Sequence, residues 1–131
     1  MEKRIIDSVA FILKKENKIL IEKRKNNKRT DPGLHCIPSG GINKGESEVD
    51  AMRREVKEEL GVNVLREKYL GTLIYETEQV DFKTNYYLIS EWRGEINSSE
   101  AELVEWLDIE ENSVDIWPDK LMIQAMKYRG L

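Results

Sequence analysis

Residues 4–14, RIIDSVAFILK, concentrate β-branched and apolar side chains, which predicts a buried strand. KENK at 15–18 is polar and turns the chain into a second strand, Ile19 to Lys23. Polar positions then dominate from Lys25 to Gly33, ending in the turn signal Asp31-Pro32-Gly33. LHCIPSGG, which follows, predicts a short strand running into a glycine turn. From residue 48 to 60 the period changes to that of a helix, with Val49, Met52, Val56 and Leu60 in one apolar stripe. Ser47 is placed to cap its N-terminus and Gly61 to end it. Strands are expected at about 62–77, 80–92 and 103–107. From Asp119 onward DKLMIQAMKY predicts a last amphipathic helix facing inward through Leu121, Met122, Ala125 and Met126. The order β-β-β-α-β-β-β-α describes an α/β (α+β) fold, a mixed sheet with a helix packed on each side. With 131 residues the chain has room for one domain, taken as 1–131.

Composition narrows the function classes. The chain is 40% hydrophobic and 35% charged with net charge -4, ordinary for a soluble globular protein. No apolar run is long enough to span a membrane, and MEKRIIDSVAF lacks the features of a signal peptide. The single cysteine, Cys36, excludes an internal disulfide and suits a reducing cytoplasm. Basic residues cluster once, in KRKNNKR at 23–29, which includes Arg24. That is too small for a nucleic-acid polymer, and reads equally as a solvated loop or as part of a site for a phosphorylated small molecule.

The predicted helix carries the chemistry. Glu55, Glu58 and Glu59 are spaced three and four apart, so they fall on one helix face beside the apolar stripe. Like charges about 6 Å apart repel by roughly 3 kcal/mol at an effective dielectric near 20. An oxygen-rich cluster of this kind suits Mg²⁺ or Mn²⁺, whose charge relieves the repulsion. Ala51, one turn earlier, keeps the acidic face open. Upstream, glycines 40, 41 and 45 allow a tight loop that folds Glu46 back toward the helix, and Arg54 is placed to pair with a carboxylate and orient it. A solvated acidic helix is the plain alternative for residues 53–59 taken alone.

Gly40, Glu46, Arg54, Glu55, Val56, Glu58, Glu59, Gly61 and Val62 fit G-x5-E-x7-R-E-U-x-E-E-x-G-U, with U aliphatic, at every specified position. In this the chain resembles the Nudix family, and the strand order fits that family's α/β/α sandwich. The resemblance implies Mg²⁺-dependent cleavage of a nucleoside diphosphate linked to another group. It implies Gly40, Glu55, Glu58 and Glu59 as metal ligands, with Glu46 and Arg54 supporting catalysis; which carboxylate is the general base stays open. A further ligand in the family often precedes a tryptophan, and here Glu100 and Glu102 precede Trp106. His35 and Ser39 depart from common family residues, and His35 reads as packing.

DIWPDKLMIQAM resembles the base-holding segment of MutT-like members, which makes Trp117 a stacking candidate and Asp119 a hydrogen-bonding one; a core tryptophan and a helix-capping aspartate are the alternatives. Ser8 and Cys36 lie near other base-pocket positions, and Arg24 joins them as a substrate-binding candidate. A proline and a tyrosine that mark ADP-ribose and dinucleoside polyphosphate hydrolases are missing. The implied reaction is hydrolysis of a nucleoside triphosphate, with an oxidised purine such as 8-oxo-dGTP among the candidates, to monophosphate and pyrophosphate. Hydrolysis of another derivative such as a nucleotide sugar, or nucleotide binding without turnover, is the alternative. A monomer or homodimer is expected.

Overall fold

In a computed structural model, residues 3–26, 33–97, 103–110 and 114–131 are described. The elements run β1 Arg4–Lys15, β2 Lys18–Lys23, β3 His35–Cys36, β4 Ser39–Gly41, α1 Glu48–Leu60, β5 Asn63–Glu76, β6 Val80–Arg93, β7 Leu103–Asp108 and α2 Trp117–Tyr128. β1 lies parallel to β6 from Arg4 opposite Val80 to Leu13 opposite Ile89. β5 closes antiparallel on β6, while β4 pairs β1 through Ser8–Ala10. β2 pairs β1 and β3 at its two ends and β7 along its length. The sheet is therefore mixed, as expected.

Strand alternation sorts the core into two layers. Val9, Phe11 and Leu13 of β1, with Tyr87 and Ile89 of β6, pack against Ala51, Met52, Val56 and Leu60 of α1. Ala10 and Ile12, with Tyr86 and Leu88, pack on the other face against Met122, Ile123 and Met126 of α2. Each fully buried Leu or Ile contributes about 1.5–3 kcal/mol relative to exposure. Both helices are thus held by aliphatic stripes on opposite faces of one sheet.

Several expectations change in detail. LHCIPSGG forms two short strands, β3 and β4, because Pro38 interrupts pairing while Pro38 O still accepts from Phe11 N–H at 3.0 Å. Gly40 and Gly41 are therefore strand residues; the turn conformation belongs to Gly45, at φ +81°. In α1 the inward face includes Ala51, whereas Val49 is exposed near the start of the helix. α2 begins at Trp117, not Asp119, and Leu121 points outward while Ile123 takes the inward place. The caps of α1 agree with expectation: Ser47 Oγ accepts from Asp50 N–H at 3.1 Å, and Gly61 adopts φ +74°. Among the described residues no helix is long and apolar enough to cross a membrane.

Candidate functional site

Helix α1 presents its acids in two environments. Glu55 and Glu59 are buried, in the sector shared with Ala51, Met52, Val56 and Leu60, while Glu58 is exposed. The expected acidic face is thus split: two carboxylates border the core and one meets solvent. Glu55 leaves no room for a side chain at residue 40, since a Cβ built on Gly40 would lie 2.0 Å from its carboxyl carbon. Glycine at this position lets a helix carboxylate lie directly on the β4 backbone.

Arg54 organises the surrounding acids. Its Nε donates to Glu46 Oε2 at 2.7 Å and its Nη2 to Glu46 Oε1 at 2.9 Å, a two-pronged ion pair. Nη1 donates to Glu55 Oε1 at 2.9 Å and to Glu58 Oε2 at 3.1 Å, and Nη2 also reaches Gly41 O at 2.8 Å. Glu46 additionally accepts from Asn43 N–H at 3.0 Å, which closes the loop before α1. The Arg54 hydrogen bonds, followed by the Asn43 amide, hold the Glu46 carboxyl down at about 2. Reciprocally, Glu46 and then Glu55 push the Arg54 guanidinium further up.

Among the described residues no three His, Cys, Asp or Glu side chains converge as a preformed metal-binding group. The guanidinium of Arg54 lies between Glu46, Glu55 and Glu58 instead. The donors are nonetheless all oxygen, which is the chemistry a hard divalent cation takes. The carboxylate against the Gly40 backbone adds a second point of fit for such an ion. Glu100 and Glu102 lie outside the described residues.

A cavity of about 230 Å³ opens beside this cluster, and Gly40 and Gly41 are part of its wall. It is smaller than the roughly 300–1,000 Å³ of sites for drug-sized ligands, so it suits a fragment of a nucleotide and not the whole. Of the sequence-derived candidates, Ser8, Arg24, Cys36 and Asp119 line it. Trp117 is half exposed and is not among its lining residues. Ser8 Oγ hydrogen-bonds Thr84 Oγ1 at 3.0 Å on the cavity wall. Asp119 is buried, with Tyr86 Oη donating to Oδ1 at 2.7 Å and Ile37 N–H to Oδ2 at 2.9 Å. His35 lies outside the cavity lining and ties β3 to the segment before α2. Its N–H donates to Asp115 Oδ2 at 2.7 Å, and Asp115 N–H donates back to His35 O at 2.8 Å.

Thr84, Tyr86, Tyr75 and Phe82 line the cavity and were not candidates from sequence. The available signal was the alternation of residues 82, 84 and 86. Without knowing that β6 lies parallel to β1, nothing placed that face beside Ile6, Ser8 and Ala10.

The family model described as NUDIX domain matches residues 3–125. An 8-oxo-dGTP diphosphatase of Buchnera aphidicola subsp. Schizaphis graminum is 30% identical over 103 residues, covering 79% of this chain and 77% of that protein. An ADP-ribose pyrophosphatase of Methanocaldococcus jannaschii is 44% identical over 55 residues, covering 42% of this chain and 31% of that protein. The crystal structure of a MutT protein from Methanosarcina mazei Go1 superposes with a TM-score of 0.87 at 21% identity, covering 98% of both chains. That likeness bears on the fold alone.

Proposed function

The chain belongs to the NUDIX domain family of hydrolases acting on phosphoric anhydrides, and from that premise we propose that it is a Mg²⁺-dependent nucleoside triphosphate pyrophosphohydrolase. Its products are a nucleoside monophosphate and pyrophosphate, and purines, including oxidised ones, are its leading substrates. One observation carries the reading: Gly40 belongs both to the cavity wall and to the seat of Glu55. A base held in the cavity then has its phosphates directed along β4 toward the acidic helix.

Glu55, Glu58, Glu59 and the Gly40 backbone are the residues that would hold Mg²⁺. When bound, the ion supplies neutralising charge to the phosphates and acidifies water at neutral pH. The protein's own residues divide the remaining work. Arg54 draws Glu55 and Glu58 toward one another, and Glu46 fixes Arg54. With its carboxyl near 2 and both oxygens bonded to Arg54, Glu46 is a poor proton acceptor and serves as an anchor. The presence of Arg24 on the cavity wall supports a role for its guanidinium in meeting substrate phosphate.

The stretch shared with the ADP-ribose pyrophosphatase favours a second reading, a nucleoside diphosphate derivative as substrate. The test is pyrophosphate or phosphate-ester release from normal and oxidised triphosphates, nucleotide sugars and ADP-ribose, with and without Mg²⁺. Triphosphates should rank first and metal should be required. Preference for ADP-ribose would install the second reading, and binding without turnover of any compound would remove the enzymatic one.

A further inference from the structure

Asp119 brings a carboxylate to the cavity from the first turn of α2 while only 2% exposed. Ionised, such a group only accepts hydrogen bonds, through about four lone-pair sites. Each oxygen receives one donor from a different element: Tyr86 of β6 on Oδ1, and the Ile37 amide between β3 and β4 on Oδ2. Two donors from two sides fix the plane of the carboxylate. The first turn of a helix favours negative charge, and no side chain caps this N-terminus, since Ile116 occupies the cap. Burial, and then the Asp119 charge, push the Tyr86 phenol far up, so its hydroxyl keeps its proton and donates.

We propose that Tyr86 is a positioning residue for base selection, holding Asp119 as an oriented acceptor in the cavity wall and so favouring bases whose edge presents N–H donors. The inference rests on the cavity being the base site. A site built to hydrogen-bond its ligand discriminates strongly because a mismatched ligand leaves buried polar groups without partners. Phenylalanine at 86 would keep the ring packing but remove the donor from Oδ1. The carboxyl would then be free to turn about its bond to the Ile37 amide, so the direction in which it accepts would no longer be fixed. Selection between base edges would relax.

The test is equilibrium binding of nucleoside 5′-monophosphates bearing guanine, 8-oxoguanine, adenine, cytosine or uracil, measured by calorimetry. The proteins compared are the unaltered chain, Tyr86→Phe, Asp119→Asn and the double variant, with turnover measured alongside. Tyr86→Phe should weaken the best-bound base about tenfold and narrow the spread between best and worst by a similar factor. Its kcat should stay within about twofold on the preferred substrate. Asp119→Asn should reorder the bases, and adding Tyr86→Phe to it should change little, because the hydroxyl acts through the carboxylate. Leu88→Val, in the same core cluster, controls for lost packing and should leave the ranking intact.

Wild-type ranking in Tyr86→Phe, full additivity in the double variant, or the same relaxation in Leu88→Val would each overturn the proposal. So would monophosphates that bind the unaltered protein without discrimination. Ranked binding without turnover in the unaltered protein would remove the hydrolase reading, and the variants' binding would still decide the role of Tyr86.

Discussion

Gly40 and Gly41 are chemically identical neighbours with opposite tolerances. A Cβ at residue 40 meets the Glu55 carboxylate, whereas one at residue 41 meets nothing within 4 Å. Gly40→Ala should therefore displace Glu55 and lower kcat/KM by about a hundredfold, the scale set by a misplacement of about 1 Å. Overpacking adds a loss of about 1–3 kcal/mol in stability. Gly41→Ala should change neither by much. Steady-state rates and thermal melts on the two variants check this, and equal effects would refute the contact. The motif singled out Gly40, but its reason was not legible: the sequence suggested turn freedom, and the structure shows a close approach within a strand. From sequence Trp117 is legible as a stacking or a core aromatic; that it is half exposed and off the cavity lining depends on where α2 begins.

At the level of elements, local signals carried furthest where they were periodic or capped. The β-branched, apolar run of β1, the stripe of Met52, Val56 and Leu60, and the Ser47 and Gly61 caps could all be read because each depends on residues near in sequence. Val49 and Leu121 fit the apolar pattern yet are exposed: Val49 lies in the first turn of α1, and in α2 the buried side is set by Met122, Ile123 and Met126, which leaves Leu121 outside it. The loop from β4 to α1 shows what spacing could suggest but not weigh: Glu46 returns to Arg54 with both oxygens. Its carboxyl is held at about 2 when folded, against an ordinary value of 4.5, so the ionised form favours the folded state. That stabilisation is complete above about pH 4.5 and is lost as pH falls toward 2. Thermal melts of the protein and of Glu46→Gln should differ most above pH 5 and converge near pH 2. A gap that persists at pH 2 would mean that the ion pair is not its source.

Across the whole molecule, two aliphatic layers hold a sheet whose parallel β1–β6 pairing places the cavity-lining faces of both strands together, next to β4. That pairing joins residues far apart in sequence, which is why the sequence does not reveal Phe82, Thr84 and Tyr86 as part of the cavity wall. The same architecture pins α1 by its apolar stripe, so Glu55 and Glu59 cannot separate without moving the helix. From spacing alone the acidic face would be strained without metal; Arg54 lessens that strain by bonding Glu46, Glu55 and Glu58, yet carboxylates still outnumber it. A divalent cation binding only the folded site should therefore stabilise the protein, by about 2.7 kcal/mol at a hundred times its dissociation constant. For a chain of this size that corresponds to a rise in Tm of roughly 10 °C. Glu59→Gln should abolish most of this rise and cost orders of magnitude in rate, while its metal-free Tm stays close to that of the unaltered protein. Melts with and without Mg²⁺ or Mn²⁺ separate the cases. An undiminished metal response in Glu59→Gln would move the cation off this helix face, and a metal-free collapse would make Glu59 a structural residue first.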